Sequence, residues 1–111
     1  KNSQKSTATR SDVHMLTENI VTVAGTLHHV QGDKVLENRL GKYVSFAVRQ
    51  ETPWSDGSTR RDFLLMRAYH PELREWVLSR EEGTPLRVEG DVRSSLGSGE
   101  MYVHVRKIEE I

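Results

Sequence analysis

RDFLLMRAYHPELREWVLSR, residues 61–80, holds the passage from a strand to a helix on which the fold turns. Taken at every second residue, Asp62, Leu64, Met66 and Ala68 make a mostly apolar face fit for a core. Arg61, Phe63, Leu65, Arg67 and Tyr69 make the other face, where cations and rings alternate. At His70–Pro71 the period changes. Proline at the first helical position, Glu72 and Glu75 in the opening turns and Gly83 just past the end predict a helix. Leu73, Trp76, Val77 and Arg80 fall at i, i+3, i+4 and i+7, so the helix carries a narrow apolar stripe along which Arg80 can lay its stem. On that stripe Trp76 is a core residue.

Upstream, NIVTVAGTL (19–27) predicts a strand with a bulge or bend at Gly25. HHVQGDKVLENRLG (28–41) is a turn-rich connection with room for one short strand. KYVSFAVRQE (42–51) alternates, with Val44, Phe46 and Val48 inward and Tyr43, Ser45, Ala47 and Arg49 outward. TPWSDGSTR (52–60) is a loop marked by Pro53 and Asp56–Gly57. Downstream, PLRVEGDVR (85–93) predicts a strand with Leu86, Val88 and Val92 inward. SSLGSGE (94–100) is a hairpin loop, and MYVHVRKI (101–108) returns with Met101, Val103 and Val105 inward. Five strands with one helix between the third and fourth is the order of the OB-fold, an all-β, partly open Greek-key barrel. A β-sandwich needs more strands, and a ferredoxin-like fold needs two helices.

The 111 residues suffice for one domain, placed at 19–111 behind a flexible N-terminal tail over 1–18 that is rich in Ser, Thr and Lys. The chain opens on Lys1, so a preceding segment is expected to have been removed. Lys plus Arg number 16 and Asp plus Glu 16, a balance that argues against a protein gripping nucleic acid by bulk charge. The balance hides an asymmetry. Arg39, Lys42, Arg49, Arg60, Arg61 and Arg67 outnumber the acids between 39 and 67, whereas Glu72, Glu75, Glu81, Glu82 and Glu89 outnumber the cations between 72 and 89. There is no cysteine, which excludes disulfides and thiolate metal sites, and no apolar run long enough for a membrane span or secretory signal. The expectation is a soluble cytoplasmic, nucleoid-associated protein.

The outward face of residues 61–69 supplies what single-stranded nucleic acid needs, cations for phosphates and flat rings for bases. Tyr43 and Arg49 on the preceding strand, and Tyr102, His104 and Arg106 on the last, point the same nominal way. Trp54, a large ring in a polar loop, is a further platform. The bland alternative is that Phe63 and Tyr69 lie in a subunit interface and that the arginines form surface ion pairs. His28–His29 suggests a metal, but neighbouring strand residues point opposite ways and no third ligand stands at the right spacing. No nucleophile elbow, phosphate loop or metal-hydrolase helix is present, so neither an enzyme nor a cofactor, metal or small-molecule substrate is expected.

These segments together resemble the bacterial single-stranded DNA-binding proteins. NIVTVAGTL, GKYVSFAVRQETPW and the ungapped run RDFLLMRAYHPELREWVLSREEGTPLRVEGDVR carry the resemblance, which covers most of residues 19–111. It implies an OB-fold that stacks bases on four aromatic positions. Carried over, these fall on Trp54, on Phe63, on Tyr69 and near Leu96–Gly97, where no ring stands. Three platforms are kept, two with a different ring. The family's acidic C-terminal tail has no counterpart in RKIEEI, and tailless primosomal relatives share the fold. The resemblance also implies self-association as a homotetramer or homodimer. The function expected is sequence-nonspecific binding of single-stranded DNA in replication, recombination or repair. Trp54, Phe63 and Tyr69 would stack bases, and Arg49, Arg60, Arg61 and Arg67 would guide phosphates. An assembly subunit of a primosome-like complex is the alternative, and RNA in the same groove is a third.

Overall fold

The computed structural model describes residues 17–111, so the expected tail lies, apart from Thr17 and Glu18, outside the described residues. Six strands and one helix follow in order: β1 Val21–His29, β2 Val35–Asn38, β3 Gly41–Pro53, β4 Thr59–Ala68, α1 Pro71–Leu78, β5 Pro85–Ser94 and β6 Met101–Glu110. The sheet order is β1-β5-β6-β4-β3-β2, and β1 pairs with β3 as well as β5. The ring β1-β3-β4-β6-β5 is therefore closed, and β2 is a short addition on β3. All pairings are antiparallel except β4 with β6. The helix falls between the third and fourth barrel strands, as the sequence predicts. No described helix is long and apolar enough to cross a membrane.

Closure depends on β1 serving two partners. Val21 to Thr26 pair with β5, and Thr26 to His29 pair with β3. The strand must bend between them, and Gly25 sits at the bend. A Cβ on Gly25 would lie 2.4 Å from the Arg49 carbonyl oxygen and 2.8 Å from Val48 Cγ1, so only a residue without a side chain lets β1 turn this close to β3. The strand bends there without a bulge. The bulge lies elsewhere, where Gly90 faces Val105 but Glu89 faces Lys107, leaving Arg106 as the extra residue.

That bulge rephases β6. Val103 and Val105 point inward as expected, and beyond Arg106 it is Ile108 that packs on the core. Met101, expected inward, is exposed, because it pairs with Ser94 at the mouth of the hairpin beyond the barrel wall. Val92, also expected inward, is only half-buried. The core otherwise follows the alternation: Val44, Phe46 and Val48 from β3, Met66 and Ala68 from β4, and Leu86 and Val88 from β5 are fully enclosed.

The helix is short and caps one end of this core. His70 is its N-cap, Nδ1 accepting from the Glu72 N–H at 3.2 Å, and Pro71 follows at the first position. Val77 is completely buried, with Leu73 and Trp76 packed against the core beside it, and the Arg80 guanidinium stands 4.5 Å from the Trp76 ring centroid. The helix ends at Leu78, earlier than Gly83 suggests. Gly83, at φ 88°, belongs to the return: its N–H donates to the Leu27 carbonyl at 2.8 Å and leads the chain into β5 beside β1.

Candidate nucleic-acid interface

The outer faces of β3 and β4 form one surface by register. Glu51 lies opposite Arg61, Arg49 opposite Phe63, Ala47 opposite Leu65 and Ser45 opposite Arg67. His28 on β1 aligns with Ala47, and His104 on β6 aligns with Arg67, so the surface continues on both sides.

At one end the β3–β4 hairpin carries Trp54. A tight turn presents it: the Trp54 carbonyl accepts from Gly57 N–H at 3.0 Å, and Gly57 takes a φ of 91° that a side chain would disfavour. Asp56 Oδ1 accepts from the Ser58 N–H at 2.9 Å and hydroxyl at 2.5 Å, and these bonds hold its pKa below the ordinary aspartate value. The Trp54 ring is 52% exposed, with the Arg60 guanidinium 5.5 Å from its centroid. Phe63 is 49% exposed and stands between Arg49 and Arg61.

The His28 ring meets Phe63 at 4.8 Å between centroids, tilted by 58°. His28 Nδ1 lies 2.8 Å from Glu82 Oε2, so the connection after α1 braces the ring beside the platform. Sequence reasoning missed this role. The only signal was position on β1, and the His-His pair drew attention to metals instead. His29 points elsewhere, Nε2 lying 2.8 Å from the Arg80 carbonyl.

At the other end the expected row of open platforms is corrected. Tyr43 and Tyr102 are 8% and 9% exposed, and neither presents a ring face to solvent. Both lie under Arg67, whose guanidinium stands 4.8 Å from the Tyr43 centroid and 4.0 Å from that of Tyr102. Burial opposes the charge of Arg67, yet the Tyr69 hydroxyl and the surrounding phenols raise its pKa above the ordinary value. Burial, with Tyr69 as the next cause, raises Tyr102 likewise. Tyr69 is half-buried, 5.1 Å from Tyr43 and 5.7 Å from His104, and its hydroxyl accepts from Asn38 Nδ2 at 3.0 Å. Arg106 stands apart, on the bulge, lining a hollow with Tyr69, His70 and Glu72.

Charge on this surface is less free than the residue count suggests. Glu51 accepts from Arg49 and from Arg61 Nε at 3.1 Å, while on the opposite face of the hairpin Arg60 Nε bonds Asp62 at 3.2 Å. Arg67 has no carboxylate partner among the described residues. Above Arg67 and Tyr102 a groove of about 420 Å³ opens between Asn38–Leu40 and Ser94–Gly97, rimmed by Leu40 and Leu96.

No protein-family model and no curated protein sequence matches the chain. Solved structures do. The small single-stranded DNA-binding protein of Streptomyces coelicolor superposes with a TM-score of 0.65 at 15% identity, covering 86% of this chain and 94% of that one. The N-terminal domain of PriB from Thermoanaerobacter tencongensis, described as dimeric, gives 0.60 at 22% identity, covering 84% and 96%. PriB of Ralstonia solanacearum gives 0.61 at 12%, covering 85% and 98%. The chain has their fold, the OB-fold. In an OB-fold the second and third barrel strands, with the loops after the first and fourth, are the usual oligonucleotide surface. Here those are β3, β4, residues 30–40 and residues 95–100, the parts that hold Phe63, Arg67 and the groove.

Proposed function

We propose that this protein binds single-stranded DNA largely without regard to sequence, on the outer face of β3 and β4. The carrying observation is Phe63, a half-exposed ring with Arg49 across from it and Arg61 beside it, while Trp54 stands half-exposed at the hairpin tip. Bases stack on Trp54 and Phe63, and on the accessible part of Tyr69. Arg49 and Arg61 meet phosphates beside Phe63, and Arg60 meets them beside Trp54 on the other face of the hairpin. Each stacked base contributes roughly 1–3 kcal/mol, so two or three platforms with a few phosphate contacts are enough to retain a strand. Self-association as a homodimer or homotetramer belongs to this reading, and the dimeric PriB domain supports it. Sedimentation of the purified protein checks it.

The decisive experiment is a tryptophan-fluorescence titration with oligo-dT at low and moderate salt, on wild type and Trp54→Phe. Quenching that salt reverses, and that the variant mostly loses, is expected. Unchanged emission at micromolar protein in low salt counts against strand binding. One observation favours a second reading, an assembly subunit of a primosome-like complex: Arg49, Arg60 and Arg61 are already paired with Glu51 and Asp62. Salt separates the two, since phosphate contacts weaken steeply with ionic strength and an apolar interface does not.

A further inference from the structure

We propose that the groove between residues 38–40 and 94–97 is a single-nucleotide pocket that selects guanine, with Arg67 donating to O6 and N7 of the base. This rests on the strand-binding reading and adds a point of base discrimination to it.

Size and shape come first. About 420 Å³, open along one side, lies within the range of small-ligand sites. Leu40 and Leu96, which are 74% and 90% exposed and stand on two different loops, line it together with Arg39. A bare phosphate would leave the two leucines unused, whereas Arg39 can meet the phosphate of a nucleotide whose base lies between them. A nucleobase has apolar faces for the leucines and a polar edge for the floor.

Arg67 is held as no other arginine of this surface is. It packs on Tyr43 and Tyr102, and no described carboxylate neutralises it. Packing against rings fixes the plane of a guanidinium, and its five N–H donors include a fork that can face a ligand. The loop above is tied to a third tyrosine: Asn38 donates to the Tyr69 hydroxyl at 3.0 Å, and its Oδ1 accepts from the Leu40 N–H at 2.8 Å. The loop that carries Leu40 is thus tied to Tyr69, whose ring adjoins the Tyr43 ring on which Arg67 packs. A fixed fork of two donors matches the adjacent acceptors O6 and N7 of guanine, whereas adenine sets a donor beside N7, and thymine offers one oxygen and a methyl group on that edge.

The test measures fluorescence anisotropy of a short oligo-dT strand against the same strand with one dT replaced by dG, dA, dC or 7-deaza-dG. The dG strand is expected to bind about tenfold more tightly than oligo-dT, with dA, dC and 7-deaza-dG close to oligo-dT. In Arg67→Lys, which keeps the charge but loses the fork, the dG-to-dT ratio should fall to about one. Equal affinity of wild type for all strands overturns the guanine pocket while leaving strand binding intact. A preference for dG that 7-deaza-dG or Arg67→Lys preserves overturns the role given to Arg67. Absence of binding to every strand at low salt overturns both readings. The 7-deaza strand needs no variant, so the result does not depend on Arg67→Lys folding.

Discussion

Glu51 faces Arg61 across the β3–β4 pair and accepts a hydrogen bond from its Nε at 3.1 Å, while also accepting from Arg49 on its own strand. The bond from Arg61 and then the charge of Arg49 hold its carboxyl below the ordinary glutamate value, so it is ionised at neutral pH. One carboxylate thus occupies two of the cations that flank Phe63. A strand entering this surface must compete with Glu51 for both.

Removing that competitor should strengthen binding. Glu51→Gln is expected to raise affinity for oligo-dT several-fold at low salt. It should also steepen the fall of log K with log salt by about 0.7 for each added phosphate contact. Anisotropy titrations across a salt series measure both quantities. An unchanged slope would place Arg49 and Arg61 outside the phosphate track.

The exposed rings give a second expectation. Phe63→Ala and Trp54→Ala should each weaken oligo-dT binding by about tenfold, the loss of one stacked base. Both rings are half exposed, so stability should change by only about 0.5 kcal/mol. Trp76, packed against the core, should keep its emission through a titration of Trp54→Ala. Urea melts alongside the titrations separate binding from folding.

The sequence made the barrel legible because its strands alternate cleanly and one helix has unmistakable ends at His70–Pro71. Face assignment is where alternation failed, and in two different ways. At Arg106 a bulge inserts one residue and moves Ile108 into the core, an event that depends on the partner strand and leaves no mark in β6 itself. At Tyr43 and Tyr102 the parity was right but the outer surface is covered, since Arg67 lies on both rings. Period-two reasoning tells inside from outside. It does not tell an open outside from one closed by a neighbour. Likewise Arg49, Arg60 and Arg61 were legible as cations, but their pairing with Glu51 and Asp62 arises from cross-strand register and i,i+2 neighbours on a strand.

Glu82 gives a pH dependence. It accepts from the His29 N–H at 2.8 Å, the larger cause, and contacts His28 at 2.8 Å, and both lower its pKa from 4.5. A depressed carboxyl contributes stability above its unfolded value, and that contribution is lost as pH falls through its lower folded value. Glu82→Gln should therefore cost about 0.5 kcal/mol at neutral pH, a modest figure because the group is exposed. The difference from wild type should shrink below pH 4.5. Urea denaturation at a series of pH values reads the difference directly. A gap that persists unchanged into acid would show that the bond to His29 is made as well by the amide as by the carboxylate.

Gly25 is the position on which barrel closure can be tested. Its Cβ position collides with backbone, the Arg49 carbonyl at 2.4 Å, and backbone in a paired strand cannot swing aside as a side-chain end can. Gly25→Ala should force β1 away from β3 where Thr26 meets Arg49 and Leu27 meets Val48, loosening the fully buried Leu27. The expected cost is about 3 kcal/mol by urea denaturation. Gly97→Ala, with nothing within 4 Å of the added Cβ, should be nearly neutral and serves as the control. Amide exchange localises the effect. The Leu27 N–H, bonded to the Thr84 carbonyl at 2.8 Å, should lose protection in Gly25→Ala beyond what the global loss of stability accounts for. If Leu27 instead keeps pace with Phe46 and Met66, β1 does not yield locally and the strain of the extra methyl is spread through the whole barrel.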